Sequence, residues 1–299
     1  MVLPVVAGVD GSDASLRAVD WAADAAVRHE TPLRVLCATG PALGTPVPEL
    51  EENAERIRDL AVEHARKRVP SVDVTGEIVP ESAADALLSA GRNAFTLVVG
   101  SRGRGGVTGM LLGSVGLAVA GRADCPVVVV RGEPDGGKEP VVLGIQDEDA
   151  GEGPSPVPGI EDTAEGRSAA EYAFREAQRR GCELIAVHAW RAPGGGRSAV
   201  PGAPDTGDRG DADEQCRARA GKVIDEAVAQ AGERYPDVVV RRRAVAGSAR
   251  QALLNAAREA SLLVVGAHAR RGHFGLQLGL VNHAVLHHSP CPVAVVPQA

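Results

Sequence analysis

Aromatic side chains are nearly missing from this chain, with three Phe, two Trp and two Tyr among 299 residues. Its core must therefore come from Val, Leu, Ile and Ala, which suits strands buried on both faces under closely packed helices. Basic excess is missing too. The formal net charge of -7 argues against a nucleic-acid footprint, which needs a clustered basic face. The one basic run, Arg241 to Arg243 after "DVVV", reads as a charged edge strand that discourages sheet-to-sheet pairing. No apolar run approaches the roughly 20 residues that cross a bilayer, and "MVLPVVAGVDGS" has no basic region of a signal peptide. Five cysteines, Cys37, Cys125, Cys182, Cys216 and Cys291, contain no C-x-x-C pair, so a reduced, cytoplasmic compartment is expected.

What the chain does have is a repeat. "CPVVVV" from Cys125 returns as "CPVAVV" from Cys291, "FTLVVGSRGRGG" from Phe95 as "SLLVVGAHARRG" from Ser261, and "LLGSV" from Leu111 as "QLGLV" from Gln277, all at one offset. Nearer the front, "VVAGVD" from Val5 pairs with "VVLGIQ" from Val141, and "AVDWAADAA" from Ala18 with "AAEYAFREA" from Ala169. The chain reads as two domains, 1–132 and 140–299, joined by a Gly/Pro-rich linker at 133–139.

Within a half, "PVVAGV" is a short apolar run ended by the capping residues of "DGSD", and an Ala-rich helix follows. "LRVLCA" supplies a second strand, residues 50–69 a helix, 72–79 a third strand, and a helix starts at Ser82. The strand "FTLVVG", a glycine loop, a helix from Ser114 and the strand "PVVVV" complete the unit. Strands alternating with helices imply an α/β fold: two tandem doubly wound parallel-sheet domains, each a Rossmann-like α/β/α sandwich. The second half carries two Gly/Pro/acid-rich inserts, near 147–166 and 191–213, too poor in apolar residues to offset their ordering entropy and expected as mobile loops.

The glycine loop "VVGSRGRGGVTGMLLGS", from Val98, is where chemistry is expected. In a doubly wound sheet ligands bind at the carboxyl ends of strands where the order reverses, and a helix N-terminus there attracts anions. Gly100, Gly103, Gly105 and Gly106 can take positive φ and let backbone close on a phosphate, Gly113 and Ser114 put bare N–H groups and a hydroxyl at a helix start, and Arg102 and Arg104 add charge. Neither familiar phosphate motif fits. No lysine precedes Ser114, as G-x-x-x-x-G-K-[ST] requires, and "GRGGVT" ends in Thr108 and follows the fourth strand rather than the first. On residue types alone, an anion site and a plain surface loop both remain open.

The spacing Gly100-x-x-Gly103, nine residues, Gly113-Ser114, between "LVV" and "CPVVVV", closely resembles the ATP-binding branch of the universal stress protein family, as does the front motif "GVDGS" from Gly8. The resemblance covers nearly the whole chain as two tandem domains. It implies that Gly8, Val9 and Asp10 hold the adenine and ribose side, that Ala38 and Val99 line the adenine pocket, and that Gly100, Arg102, Gly103, Gly113, Ser114 and Val115 wrap ribose and phosphates. It implies ATP or a related adenine nucleotide as ligand, with magnesium left open, and binding in stress physiology as the function rather than catalysis. It further implies that the last strands pair across a two-fold, here within one chain, and that two such chains form a homodimer. No membrane or nucleic-acid partner is expected, and the sequence names no protein partner.

Departures qualify the pattern. Glu81 stands in "VPES" where the family often has glycine, while the second half has Gly247 there. Gln146 replaces Asp10, Ala269 replaces Gly103 and Leu280 replaces Ser114, so one competent site per chain is expected, in the first half. His283, His287 and His288 fall on a helix whose i, i+4 pair could share a metal, but nothing at good spacing completes a site and a solvent-facing helix is the expectation. Cys125 and Cys291, each before Pro, read as core. No Ser/His/Asp or Cys/His arrangement supports hydrolysis, and no catalytic residue is assigned. Two rival functions stand beside nucleotide binding: a slow ATP hydrolase or adenylyl-transferring enzyme on the same sandwich, and a nucleotide-free dimerising scaffold.

Overall fold

The computed structural model describes residues 2–40, 48–103, 112–132, 138–146, 169–190, 208–268 and 278–298. Both inserts lie largely outside these residues, as do Arg104, Gly105, Gly106 and Ala269. The first half runs β1 (Val5–Val9), α1 (Asp13–His29), β2 (Leu33–Ala38), α2 (Pro48–Arg68), β3 (Val74–Val79), α3 (Ala83–Gly91), β4 (Thr96–Gly100), α4 (Ser114–Arg122) and β5 (Val127–Val130). The second runs β6 (Val141–Ile145), α5 (Ala169–Arg180), β7 (Leu184–Trp190), α6 (Asp208–Arg234), β8 (Val240–Ala246), α7 (Ala249–Ala256), β9 (Leu262–His268), α8 (Leu280–His288) and β10 (Val293–Gln298). Helix α6 thus begins inside the expected second insert. Its opening "DRGDADEQCRARA" mixes alanine with charged residues of good helix propensity, which a reading by Gly/Pro content overlooks.

All ten strands form one sheet in the order β3-β2-β1-β4-β5-β10-β9-β6-β7-β8. Each half is parallel and reverses direction of winding between its first and fourth strands, the doubly wound arrangement expected. The halves meet where β10 runs antiparallel to β5, with Ala294 opposite Val128. Carboxyl ends of the two sets of strands therefore point to opposite rims. Alternating strand side chains feed two cores: Val5, Ala7 and Val128 pack with α1, α2, α5 and α6, whereas Val6, Val127 and Val129 pack with α3, α4, α7 and α8. The edge strand β8 keeps its arginines outward, where Arg241, Arg242 and Arg243 pair with Glu183, Asp225 and Glu259.

Helix starts follow local chemistry. Ser12 caps α1 by accepting the Ser15 N–H at 3.2 Å, and Ser82 caps α3 by accepting the Asp85 N–H at 3.3 Å. The joint between halves is polar as well as apolar. On one face His29 of α1 meets the buried Glu176 of α5 at 2.7 Å, and Glu176 also meets Arg180 at 3.0 Å. On the other side of the joint, Arg131, just after β5, donates to the Leu286 carbonyl near the end of α8 at 2.7 Å. Cys125 and Cys291 are buried in the core as expected.

Candidate functional site

The β1 and β4 ladder ends at Ala7 opposite Val98, so the carboxyl ends of the two strands part and open a crevice at the first switch point. All eleven residues singled out from the sequence, Gly8, Val9, Asp10, Ala38, Val99, Gly100, Arg102, Gly103, Gly113, Ser114 and Val115, line one cavity there, of about 560 Å³. Its inner wall is apolar, and its outer end carries Asp10, Ser15, Arg102 and Ser114. Sequence reasoning misses Ser15, Leu36, Ala83, Leu87, Leu112 and Gly116, which also line it. Leu36 is readable as the residue two before Ala38 on the same strand face, and Gly116 as a neighbour of Ser114 in the first turn of the helix. The α3 residues Ala83 and Leu87 carry no such signal, because only the fold brings that helix over β1.

The turn after β1 aims the carboxylate. Gly11 takes φ +81°, a region L side chains rarely adopt, and lets the chain double back. Asp10 Oδ1 then accepts the Ser12 N–H at 3.0 Å and the Ser12 hydroxyl at 2.6 Å, which fixes the side chain toward the glycine loop.

The glycines of the loop serve a different purpose from the one read in the sequence. Neither Gly100 nor Gly103 has positive φ; both are held by close approach. A Cβ on Gly103 would lie 2.6 Å from Asp10 Oδ2, and a Cβ on Gly100 would lie 2.6 Å from the Ala14 carbonyl carbon and oxygen. Gly103 is thus matched to the carboxylate, whereas Gly100 is matched to the first turn of α1. The pairing of Gln146 with Ala269 in the second half changes both members of the first of these contacts at once.

Helix α4 opens at Gly113, whose N–H donates to the Ser101 carbonyl at 2.9 Å and which offers no side chain to cap the helix. First-turn N–H groups of Ser114 and Val115 have no partner within an α-helix, so this end of the cavity favours an anion. Arg102 adds to the positive field: burial first, and then the Arg102 guanidinium, hold Arg131 below its ordinary pKa. The third loop differs between halves as its residues suggest. Gly247 sits at φ +131° with its N–H on the Trp190 carbonyl at 2.8 Å, whereas the Glu81 carbonyl accepts from Gly40 at 3.0 Å. On α8 the His283 and His287 rings stack at 4.3 Å, and among the described residues no group of three metal-ligating side chains gathers.

Fold and crevice together define a duplicated α/β sandwich with a ligand-sized opening at its first switch point. The chain belongs to the universal stress protein family, whose profile matches residues 1–131 and 157–297. It is 34% identical over 311 residues to a universal stress protein of Mycolicibacterium smegmatis, covering 98% of this chain and 96% of that protein. A universal stress protein of Mycobacterium tuberculosis is likewise 34% identical over 317 residues, covering 99% and 97%. The fold is shared with a solved universal stress protein from Archaeoglobus fulgidus, at TM-score 0.65 and 18% identity over 99% of this chain and 98% of that one. The resemblance carried by the glycine spacing therefore holds. No helix among the described residues is long and apolar enough to cross a membrane.

Proposed function

We propose that the first half binds ATP or a related adenine nucleotide and that the protein works as a stress-response regulator through that binding rather than through turnover. The observation that carries this reading is the convergence of eleven residues, spread over positions 8 to 115, on one crevice with an apolar inner wall and an anion-favouring mouth. Leu36, Leu87, Val99 and Leu112 offer a dry slot suited to a flat base, and Asp10 offers an acceptor for a sugar or base donor. Arg102 and the open N-terminus of α4 suit a phosphate chain. Open backbone at Gly113 supports the fit, since a Cβ there would meet nothing closer than 3.8 Å.

The test is calorimetric titration of ATP, ADP, AMP and adenosine into the full chain and into Ser114→Leu and Arg102→Ala. Wild type should take up about one nucleotide, with affinity falling as phosphates are removed. Removing the Arg102 guanidinium should cost about 1.5–3 kcal/mol of ATP binding, roughly 10- to 150-fold, and leave adenosine nearly unchanged. A wild type that ignores millimolar ATP overturns the proposal and moves the function to the scaffold reading.

A further inference from the structure

The second switch point is built from the same positions and is closed. Ladder pairing between β6 and β9 runs one residue further than in the first half, to Gly144 opposite Val265, so the strands that would part stay zipped. Across this seam lies Asn282, in the first turn of α8 and only 2% exposed. Its Nδ2 donates to the Gly266 carbonyl at 2.8 Å, and its Oδ1 accepts from Gln146 Nε2 at 3.3 Å. By the repeat, Asn282, Gly266 and Gln146 stand where Gly116, Gly100 and Asp10 stand in the first half. Those three first-half residues all line the open cavity. Their counterparts are hydrogen-bonded to one another instead.

We infer that the Asn282 carboxamide is a built-in occupant of the second switch point, and that position 116 in the first half decides in the same way whether a crevice stays open. A buried carboxamide costs free energy unless its hydrogen bonds are made, and here strand carbonyl and Gln146 make them, so the closed arrangement is satisfied internally. Glycine at position 116 leaves room. A Cβ there would meet Leu112 Cδ1 at 3.5 Å, Val99 Cγ2 at 3.7 Å and the Gly100 carbonyl at 3.8 Å, all ordinary contacts. A carboxamide on that Cβ would fit without moving backbone and would enter the space beside the Gly100 carbonyl.

The experiment measures side-chain amide exchange by nitrogen-15 NMR in the full chain, beside ATP titration, for wild type, Gly116→Asn and Gly116→Ala. The ATP arm rests on the nucleotide reading of the first cavity; the exchange arm does not. In wild type the Asn282 amide protons should be protected, because a buried hydrogen-bonded group exchanges only through opening. Gly116→Asn should show a second protected carboxamide and lose ATP affinity by about 100-fold or more, while Gly116→Ala, adding one methyl in ordinary contact, should stay within about tenfold of wild type. Solvent-rate exchange at Asn282, an unprotected introduced carboxamide, or ATP binding by Gly116→Asn at the wild-type level overturns the inference. If wild type binds no ATP, the nucleotide reading fails, and the two exchange results alone still decide the closure.

Discussion

Acid should weaken the joint between the halves through one carboxyl. Glu176 has 0% exposure, its carboxylate accepting from His29 Nε2 at 2.7 Å and meeting Arg180 at 3.0 Å. Burial alone pushes this group up, but Arg180, the hydrogen-bonded His29 and Arg28 outweigh burial and hold its pKa down at about 2 against an ordinary 4.5. The difference, 4.5 − 2, or about 2.5 pH units, corresponds to about 3 kcal/mol of stability at neutral pH. Because the folded value lies below the unfolded one, the unfolded chain takes up the proton first as pH falls. Stabilisation is full above about pH 4.5 and is lost toward pH 2. Replacing the carboxylate in Glu176→Gln leaves Arg180 and His29 buried against a neutral amide, which should cost about 3–5 kcal/mol at pH 7. Urea unfolding of both proteins from pH 7 to pH 2 isolates the group, since every other carboxyl titrates in both. The gap between them should narrow by about 3 kcal/mol across the acid range. A gap that stays constant from pH 7 to pH 2 would refute the reasoning.

Other consequences can be checked as simply. Gly100→Ala, whose Cβ would lie 2.6 Å from the Ala14 backbone, should lower stability by about 1–3 kcal/mol, read by thermal melting without ligand. Gly103→Ala, whose Cβ would strike only the Asp10 carboxylate at 2.6 Å, should instead leave the melting temperature nearly unchanged and weaken nucleotide binding by about tenfold or more. Equal effects of both on melting would contradict the separate roles given to the two glycines. Thiol labelling of the native protein at pH 8 should stop at Cys182 and Cys216, which are half-buried, with all five reacting in denaturant. Burial pushes the Cys291 thiol up to about 11, so its prompt reaction in the native state would show the β10 end of the core to be open.

The sequence disclosed most of the architecture because its signals are local. Four-to-six-residue apolar runs, Ser12 and Ser82 as caps, and one repeat offset are enough to order the elements, and the spacing from Gly100 to Ser114 locates the crevice. What it could not disclose depends on residues brought together from far apart. The reason Gly103 must be glycine is a carboxylate more than ninety positions earlier, so the sequence suggests backbone freedom where the cause is contact with Asp10. Asn282 looks like an ordinary residue of α8 until Gly266 and Gln146 are placed beside it. His29 and Glu176, 147 positions apart, lie in helices whose patterns say only that one face is buried. The start of α6 escapes for a simpler reason: acid-rich composition suggests a loop where alanine and charged residues build helix.

The single antiparallel junction also sets a schedule for synthesis. Strand β5, four consecutive valines, pairs with β4 as soon as the first half folds, but its other side is covered only by residues 293–295 of β10. Val128 and Ala294 are 166 positions apart. At about 5–20 residues per second, a nascent first half carries an unpaired valine edge for roughly 8–33 s before its partner strand emerges. Such an edge is a template for strand addition by any neighbouring chain. Polysomes, where identical first halves crowd together with β5 bare, are therefore the setting in which this protein is most exposed to mispairing, and a chaperone that shields extended apolar segments would act there rather than on the finished chain.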